Sequence, residues 1–313
     1  MSIDRLRDFL SKDNRGDYTF YLKTSNPPPI PRDPGDEYHG YQLLNPYLKM
    51  PRVRLLDKTD PILVVQGIQE RSVEEILDTN ISKAIETTEA FVSDMLDMWD
   101  QTVTSCDEGQ FKRNIRGESV KTLDGCKRSD FFRSLEDKKI VVNDIEYPPI
   151  EKTIGSVEKN LKKHKDPVMV LRHGDEQIGN LLTNGGKYFA IDPAYTGWGS
   201  PAQALNTLIG SNYIFYYHYF HDYTENESEV NIRYGLTEPS LRTERAFSPI
   251  FRQAMLHVHN YSREPFLTKE YLFTNFLRAS VGRVARPTDI SEVLSQPMVY
   301  LALANEFYYQ DKL

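Results

Sequence analysis

Hydrophobic and polar positions at the start of the chain form a pattern that predicts a small unit of helices and strands. Apolar positions in residues 1–10 recur at helical spacing, and the aromatic alternation of residues 18–24 predicts a strand. A proline-rich stretch at residues 26–35 indicates a stiff, extended break after this strand. The other elements predicted here are a helix over residues 36–44 and strands over residues 53–56 and 61–65.

The rest of the chain is predicted to be mostly helical. Residues 73–103 carry an amphipathic pattern that fits one long helix or two helices in series. The later predicted elements are a charged insertion over 104–150 with a short helix near 131–135 and a small strand over 141–147, a helix over 154–163, a strand over 168–171, a buried helix over 201–223, and two or three helices within 236–313. This order predicts an α+β fold with units at residues 1–70 and 71–313 and a site in the cleft between them.

The composition is that of a soluble globular protein, with 39% hydrophobic and 27% charged residues among 313. No apolar run reaches membrane-spanning length and the N-terminus has no apolar signal core, so we expect a cytoplasmic protein without a membrane partner. A formal charge of -7 argues against nucleic acid as a partner. Cys106 and Cys126 lie in a polar region and are expected to be ordinary reduced thiols. The sequence does not indicate an oligomeric state.

Residues 173–192 carry the most chemical information. An acid, Asp175, lies five residues before an amide, Asn180, and a second acid, Asp192, follows twelve residues later. Between the last two, Asn184-Gly185-Gly186 predicts a tight turn, so that the flanking residues pair as a hairpin. Such a hairpin would bring Asn180 and Asp192 back to the same end.

A carboxylate and an amide oxygen that converge suit Mg²⁺, a hard cation that prefers oxygen ligands. Asp175 follows a predicted apolar strand and would face the same pocket without binding the metal. One base and two metal-holding groups form the arrangement needed for phosphoryl transfer from a nucleotide.

The same residues resemble a known family. Asp175, then Asn180 at the fifth position, then Asp192, resemble the catalytic loop and metal-binding Asp of the kinase fold. The form His173-Gly174-Asp175, with Ile-Asp in place of Asp-Phe-Gly, is similar to the aminoglycoside phosphotransferase and choline kinase family, which phosphorylates small molecules on hydroxyl groups. The resemblance implies a two-lobed protein-kinase-like fold, with a small sheet-containing N-lobe and a larger, mostly helical C-lobe. It also implies that Asp175 is the catalytic base and that Asn180 and Asp192 bind the metal.

The two residues before Asp175 are interpreted as structural. His173 would hold the loop through a backbone hydrogen bond, because general-base catalysis here needs only one group. Gly174 would let the backbone turn sharply.

A nucleotide site is expected in the first unit on the same resemblance. Lys23, near the end of a predicted strand, would neutralise the phosphates, and Glu37, in the next predicted helix, would orient it. A solvated lysine on an edge strand is the alternative interpretation. The backbone of Gln66 and Ile68, in the linker after the last strand, would hydrogen-bond adenine.

Two features depart from the family pattern. No G-x-G-x-x-G phosphate loop precedes Lys23, and Gly16 is the only glycine before it. After Asp192, Ser200 and Gln203 stand where the family commonly has acids. These departures keep an inactive or unusual enzyme among the alternatives.

The run from Tyr213 to Tyr223 is dense in aromatic residues, which favours core packing of a helix over a cation-binding platform. His218 and His221 could share a helix face, but no third ligand supports a zinc site. The acids that follow would either solvate a loop or line a pocket for a cationic substrate; they are Asp222, Glu225, Glu227 and Glu229.

The leading hypothesis is therefore an ATP- or GTP-dependent, Mg²⁺-requiring O-phosphotransferase that acts on a hydroxyl of a small molecule. Aminoglycosides, amino alcohols, sugars and nucleosides all fit as acceptors. A catalytically inactive kinase-fold binding protein is the second hypothesis, and a metal-dependent phosphohydrolase is the third.

Overall fold

The computed structural model describes residues 20–23, 34–55, 63–66, 68, 70–105, 117–163, 168–184, 187–193, 195–259, 261, 268–284 and 295–310. The helix predicted over residues 1–10, most of the proline-rich break and Cys106 lie outside these ranges.

A three-stranded antiparallel sheet and one helix form the N-terminal unit. The sheet has the order β1-β3-β2, and its elements are β1 (Phe20–Lys23), β2 (Val53–Leu55) and β3 (Leu63–Gln66), with helix α1 (Pro34–Leu44) between β1 and β2. The central strand β3 is the most apolar, and Leu63, Val64 and Val65 are buried in it. Helix α1 begins with Pro34 and carries Asp36 and Glu37 in its first turn, where the helix dipole favours acidic side chains.

The larger unit is mainly helical, with strands inserted between the helices. Its helices are α2 (Val73–Ile76), α3 (Ile81–Thr102), α4 (Gly117–Lys127), α5 (Asp130–Arg133), α6 (Ile150–Lys163), α7 (Pro201–Ser211), α8 (Glu238–His259), α9 (Thr268–Val284) and α10 (Ser295–Tyr309). Its strands are β4 (Thr104–Ser105), β5 (Lys139–Val142), β6 (Ile145–Tyr147), β7 (Val168–Arg172), β8 (Leu181–Asn184), β9 (Lys187–Ala190), β10 (Gly197–Gly199), β11 (Tyr219–Glu225) and β12 (Glu229–Leu236).

The amphipathic pattern over residues 73–103 forms two helices in series, one of the two arrangements predicted. A capping box starts α2, in which the Ser72 hydroxyl accepts from the Glu75 N–H and the Glu75 carboxylate accepts from the Ser72 N–H. The Asn80 side chain caps α3 by accepting from the Lys83 N–H at 3.1 Å. Each helix thus begins at its own N-cap, and this explains why residues 73–103 form two helices instead of one.

The predicted insertion contains more regular structure than the sequence pattern indicated. The small strand expected over residues 141–147 is instead a hairpin of β5 and β6. Asn143 (φ 50°) and Asp144 (φ 67°) form its two-residue turn, a left-handed conformation that these residue types tolerate. β5 also pairs in parallel with β12, which completes a sheet of order β11-β12-β5-β6.

The single buried helix predicted over residues 201–223 is wrong in its second half. Helix α7 ends at Ser211, a π-helical turn covers Asn212–Tyr216, and the chain then continues as strand β11. The strand forms because its aromatic residues have high β-propensity and because β12 pairs with it along its whole length. His218 and His221 therefore do not share a helix face.

Three of the four acids after the aromatic run lie on strands β11 and β12, and Glu227 lies in the turn between these strands. Glu225 on β11 lies 2.5 Å from Lys138, and Glu229 on β12 lies 3.8 Å from Lys139. Both ion pairs lie at the same end of the sheet, where β11 ends and β12 and β5 begin.

The hydrophobic core runs through the helical unit and positions the β8–β9 hairpin. Trp99 and Phe91 of α3 are buried, and the Phe91 ring packs edge-on against Tyr188 of β9 with ring centroids 5.4 Å apart. The Tyr188 hydroxyl donates to Asp94 at 2.7 Å, which satisfies its polar atom within this apolar contact. None of the described helices combines the length and apolar character that a bilayer crossing requires.

Candidate active site

The β8–β9 hairpin brings Asn180 and Asp192 to the same end. Leu181 lies opposite Ala190, and Asn184 lies opposite Lys187, so the strands are in register along the hairpin. Beyond the Leu181–Ala190 pair, at the open end of the hairpin, the Ile191 N–H donates to the Asn180 carbonyl at 2.9 Å. The ladder therefore continues to the residue that immediately precedes Asp192.

Neighbouring segments hold both strands of this hairpin. The Thr183 N–H donates to the Arg71 carbonyl at 3.0 Å, and the Ala190 N–H donates to the Lys49 carbonyl at 2.9 Å. A short hairpin alone is marginally stable, so these contacts from outside are needed to hold its position.

The loop that carries Asp175 turns sharply at Gly174. This residue has φ +91°, and a methyl group added to it would lie 2.1 Å from the Tyr195 carbonyl oxygen. Only glycine fits this position, both for its backbone conformation and for the close approach of the segment after Asp192.

Asp175 and Asn180 are in direct contact. The Asn180 Nδ2 donates to Asp175 Oδ2 at 2.9 Å and to the Asp175 backbone carbonyl at 3.0 Å. Both hydrogens of the amide are used in this way, and Asn180 is buried. The Asn180 carbonyl oxygen is therefore the atom that could bind a metal.

A buried ion pair supports the Asp175 loop, and the sequence analysis did not identify it. Arg172, the last residue of β7, lies 3.3 Å from Glu176, and its other terminal nitrogen donates to Gln203 at 2.7 Å. Glu176 also accepts from the Gly174 N–H at 2.9 Å. Gln203, at a position where acids are common in the family, is thus an amide partner of Arg172, and Glu176 supplies the carboxylate.

Ser200, which like Gln203 stands where the resembled family commonly has an acid, caps a helix. Its side chain caps α7 by accepting from the Ala202 N–H at 3.2 Å.

Asp192 has a left-handed backbone, with φ 59°, which is uncommon for a residue other than glycine and concentrates at functional sites. Its N–H donates to the Tyr41 hydroxyl at 3.3 Å. Tyr41 also hydrogen-bonds Glu37, and burial, followed by the charge of Glu37, raises the pKa of Tyr41. Glu37 is itself buried, so the first turn of α1 is linked through Tyr41 to the backbone of Asp192.

His173 is buried, and its ring is influenced by the carboxylates of Glu176, Asp175 and Asp192. Burial lowers the pKa of its ring, although Glu176, Asp175 and Asp192 partly oppose the shift. The ring lies near the Ile191 backbone, but neither of its nitrogens has a hydrogen-bond partner among the described residues.

The other residues expected to bind nucleotide lie in the N-terminal sheet or just after it. Lys23 ends β1 opposite Leu63. The Gln66 N–H donates to the Arg52 carbonyl at 2.8 Å, and the Gln66 side chain accepts from the Arg52 N–H at 3.2 Å. Ile68 follows β3 and is partly buried.

The donor atoms at the hairpin end fit Mg²⁺. One amide oxygen and one carboxylate are hard ligands, and Mg²⁺ commonly takes only one or two protein groups while phosphate and water complete its shell. Within the described ranges, no cluster of three or more His, Cys, Asp or Glu side chains offers a different metal site.

The helices, the strands and this loop-hairpin arrangement together form a protein-kinase-like fold. Comparison with solved structures confirms the predicted α+β, two-lobed class. A choline/ethanolamine kinase family protein from Mesorhizobium loti has a TM-score of 0.54 and 12% identity, covering 99% of this chain and 96% of that chain. An aminoglycoside phosphotransferase, a thermostable mutant in a ternary complex with AMP-PNP and hygromycin B, has a TM-score of 0.56 and 10% identity, covering 99% and 100%.

A glucosamine kinase is similar at a TM-score of 0.54 and 12% identity, covering 90% of this chain and 72% of that chain. No protein-family model and no curated protein sequence matches the chain. At these identities the likeness defines the fold, and the chemistry has to be inferred from the residues of the site.

Proposed function

We propose that this protein is an O-phosphotransferase that moves the terminal phosphoryl group of a nucleoside triphosphate to a hydroxyl of a small molecule. The observation that carries the proposal is the geometry of Asn180, whose amide nitrogen is bonded to Asp175 while its backbone carbonyl is bonded to the residue before Asp192. These contacts support a role for Asp175 as a base and for Asn180 and Asp192 as the groups that would hold a metal, the combination that phosphoryl transfer requires.

Asp175 would act on the acceptor. Its carboxylate accepts the proton of the acceptor hydroxyl as the acceptor oxygen bonds to the terminal phosphorus. The bond from that phosphorus to its bridging oxygen breaks, and a nucleoside diphosphate leaves with the electron pair. Mg²⁺, when bound, would offset negative charge on the phosphates, and Asn180 and Asp192 are the residues that would hold it.

The N-terminal sheet would bind the donor. Lys23 is proposed to offset phosphate charge, and the buried Glu37 to orient that lysine. The Gln66–Ile68 segment is proposed to lie beside the base of the nucleotide. We propose an adenine nucleotide as donor, because the similar aminoglycoside phosphotransferase was solved with AMP-PNP.

The acceptor is proposed to be an alcohol that also carries an amine. The similar proteins are named for choline, ethanolamine, glucosamine and aminoglycosides, which share this chemistry.

The test is a screen of amino alcohols, amino sugars and aminoglycosides with Mg-ATP and, in parallel, Mg-GTP, read out by mass spectrometry of the phosphorylated product. We expect a gain of one phosphate on at least one amine-bearing alcohol with the wild type, and no product from Asp192→Ala. An exposed acid on β11, changed as Asp222→Ala, is the matched control and should keep wild-type turnover.

The outcomes separate the alternatives. Release of inorganic phosphate without a phosphorylated acceptor would indicate a phosphohydrolase. Binding of Mg-ATP in calorimetry without turnover on any acceptor would indicate a binding protein. Wild-type transfer by Asp192→Ala would refute the assignment of the metal site.

A further inference from the structure

The hydroxyl of Tyr216 reaches the Asp175 loop from another part of the chain. Tyr216 ends the π-helical turn that follows α7, a type of helix irregularity that often occurs at functional sites. Its hydroxyl accepts from the Gly179 N–H at 3.2 Å and donates to Gln177 Oε1 at 3.2 Å. The turn therefore places one hydroxyl against two loop residues that lie between Asp175 and Asn180.

Gln177 connects this hydroxyl to the base. Its Nε2 donates to Asp175 Oδ2 at 3.0 Å. An amide side chain can turn either its oxygen or its nitrogen toward a neighbour, and only the nitrogen can donate to a carboxylate. Since Tyr216 donates to the Gln177 oxygen, it determines that the nitrogen faces Asp175.

The Tyr216 hydroxyl is suited to remain a donor. Burial, and then the negative charge of Glu74, raise the pKa of Tyr216, so the hydroxyl keeps its proton. The space around it is also limited, because a methyl group added to Gly179 would lie 2.5 Å from the Tyr216 oxygen. Gly179 therefore allows the close approach on which the contact depends.

Both side-chain hydrogen bonds that reach the Asp175 carboxylate from the described residues fall on Oδ2, one from Asn180 and one from Gln177. We propose that Gln177 and Tyr216 are positioning residues that hold Asp175 by this oxygen and keep Oδ1 directed at the acceptor hydroxyl. The inference rests on the proposed function, and it adds two residues that act on the reaction through Asp175.

A first experiment measures the hydrogen bond without turnover. Nuclear magnetic resonance of the full chain would follow hydrogen exchange of the Gln177 side-chain amide, assigned by the loss of its signal in Gln177→Glu. We expect Tyr216→Phe to speed this exchange about tenfold or more, because opening of the amide no longer breaks a bond to the hydroxyl. The matched control is Tyr217→Phe, since the buried Tyr217 hydroxyl has no hydrogen-bond partner among the described residues.

A second experiment measures the effect on the reaction with Mg-ATP and an acceptor found in the screen. We expect Tyr216→Phe to lower kcat about tenfold and to leave KM for ATP unchanged, because the base is misdirected while the donor site is intact. In a Gln177→Ala background the same change should have a clearly smaller effect, since the connection through Gln177 is already lost and only the hydrogen bond to the Gly179 N–H remains to be broken.

The two experiments distinguish failure of this inference from failure of the proposed function. Unchanged amide exchange in Tyr216→Phe would overturn the inference whatever the enzyme does, and so would an unchanged kcat or additive effects in the double variant. A wild type that transfers no phosphate would refute the proposed function and the kinetic half of this inference with it. The exchange result would still decide whether Tyr216 orients Gln177.

Discussion

The buried ion pair between Arg172 and Glu176 makes a quantitative prediction about stability. The Glu176 side chain is fully buried, the Arg172 side chain is 10% exposed, and their charged atoms lie 3.3 Å apart. Glu176→Ala would leave the guanidinium buried without a counter-charge, which typically costs about 3–5 kcal/mol. It would also remove the acceptor of the Gly174 N–H, a loss of about 1–3 kcal/mol for a buried donor.

These two costs overlap because one deletion causes both, and Gln203 would still bond Arg172. We therefore expect the free energy of unfolding to fall by about 3 kcal/mol in Glu176→Ala. Urea denaturation followed by circular dichroism measures this quantity, provided that the slope of the transition is unchanged.

Two further variants test whether the unpaired buried charge causes the loss of unfolding free energy. Glu176→Gln keeps the shape and an acceptor oxygen, so it should lose less than Glu176→Ala. Replacing both partners, as Arg172→Met with Glu176→Leu, should recover part of the stability, because no charge then remains buried although the Gly174 N–H still lacks its acceptor. A loss below about 1 kcal/mol for Glu176→Ala would refute this reasoning, since it would place the pair among exposed ion pairs.

Three other predictions concern residues near the site or in the core. Burial lowers the pKa of His173 below its usual 6.5, so as pH falls the unfolded chain takes up a proton on this ring before the folded chain does. The wild type should therefore lose unfolding free energy below about pH 6.5, by up to about 1.4 kcal/mol per pH unit. The pH dependence of urea unfolding in His173→Gln should lack this component. Gly174→Ala should cost at least about 1–3 kcal/mol of unfolding free energy from its backbone conformation, whereas Gly155→Ala, in an open helical position, should be neutral or stabilising. Burial raises the pKa of Cys126 to about 11, so peptide mapping should show slow alkylation of this thiol at pH 8 in the native protein and rapid alkylation after unfolding.

The parts of the fold that follow from local pattern could be predicted from the sequence. The hairpin after Asn180 depends on a turn signal and two short strands that are adjacent in the chain, and its observed register carries Asp192 back to Asn180. The long amphipathic helix α3 also has enough turns for its period to be unambiguous.

The aromatic run after α7 could not be assigned correctly from its own residues. A short apolar segment fits a buried helix or a strand equally well, and here the strand is decided by pairing with β12. The turn at Asn143 and Asp144 shows the same limit, because two residue types that tolerate a left-handed backbone were the only signal for a hairpin.

The supporting residues of the site were missed for a different reason. Tyr41 lies 151 positions from Asp192, and Tyr216 lies 39 positions from Gln177, so neither contact has a sequence spacing that indicates it. Glu176 is adjacent to the proposed base Asp175, and a second carboxylate directly after it, just beyond a buried strand, was a usable signal. The three proposed chemical groups could be named because their spacing is local, whereas their partners come from tertiary packing.

Residues of both predicted units form hydrogen bonds with the β8–β9 hairpin and with Asp192, which follows it. Two residues before residue 70 make hydrogen bonds here, Lys49 to the second strand and Tyr41 to the Asp192 N–H, while Arg71 bonds the first strand. A truncated chain that began after residue 70 would retain Asp175 and Asn180 but lose the hydroxyl that anchors Asp192. The two pieces can be expressed separately and then recombined. We expect Asp192 to regain its native position only when the first piece extends through Lys49.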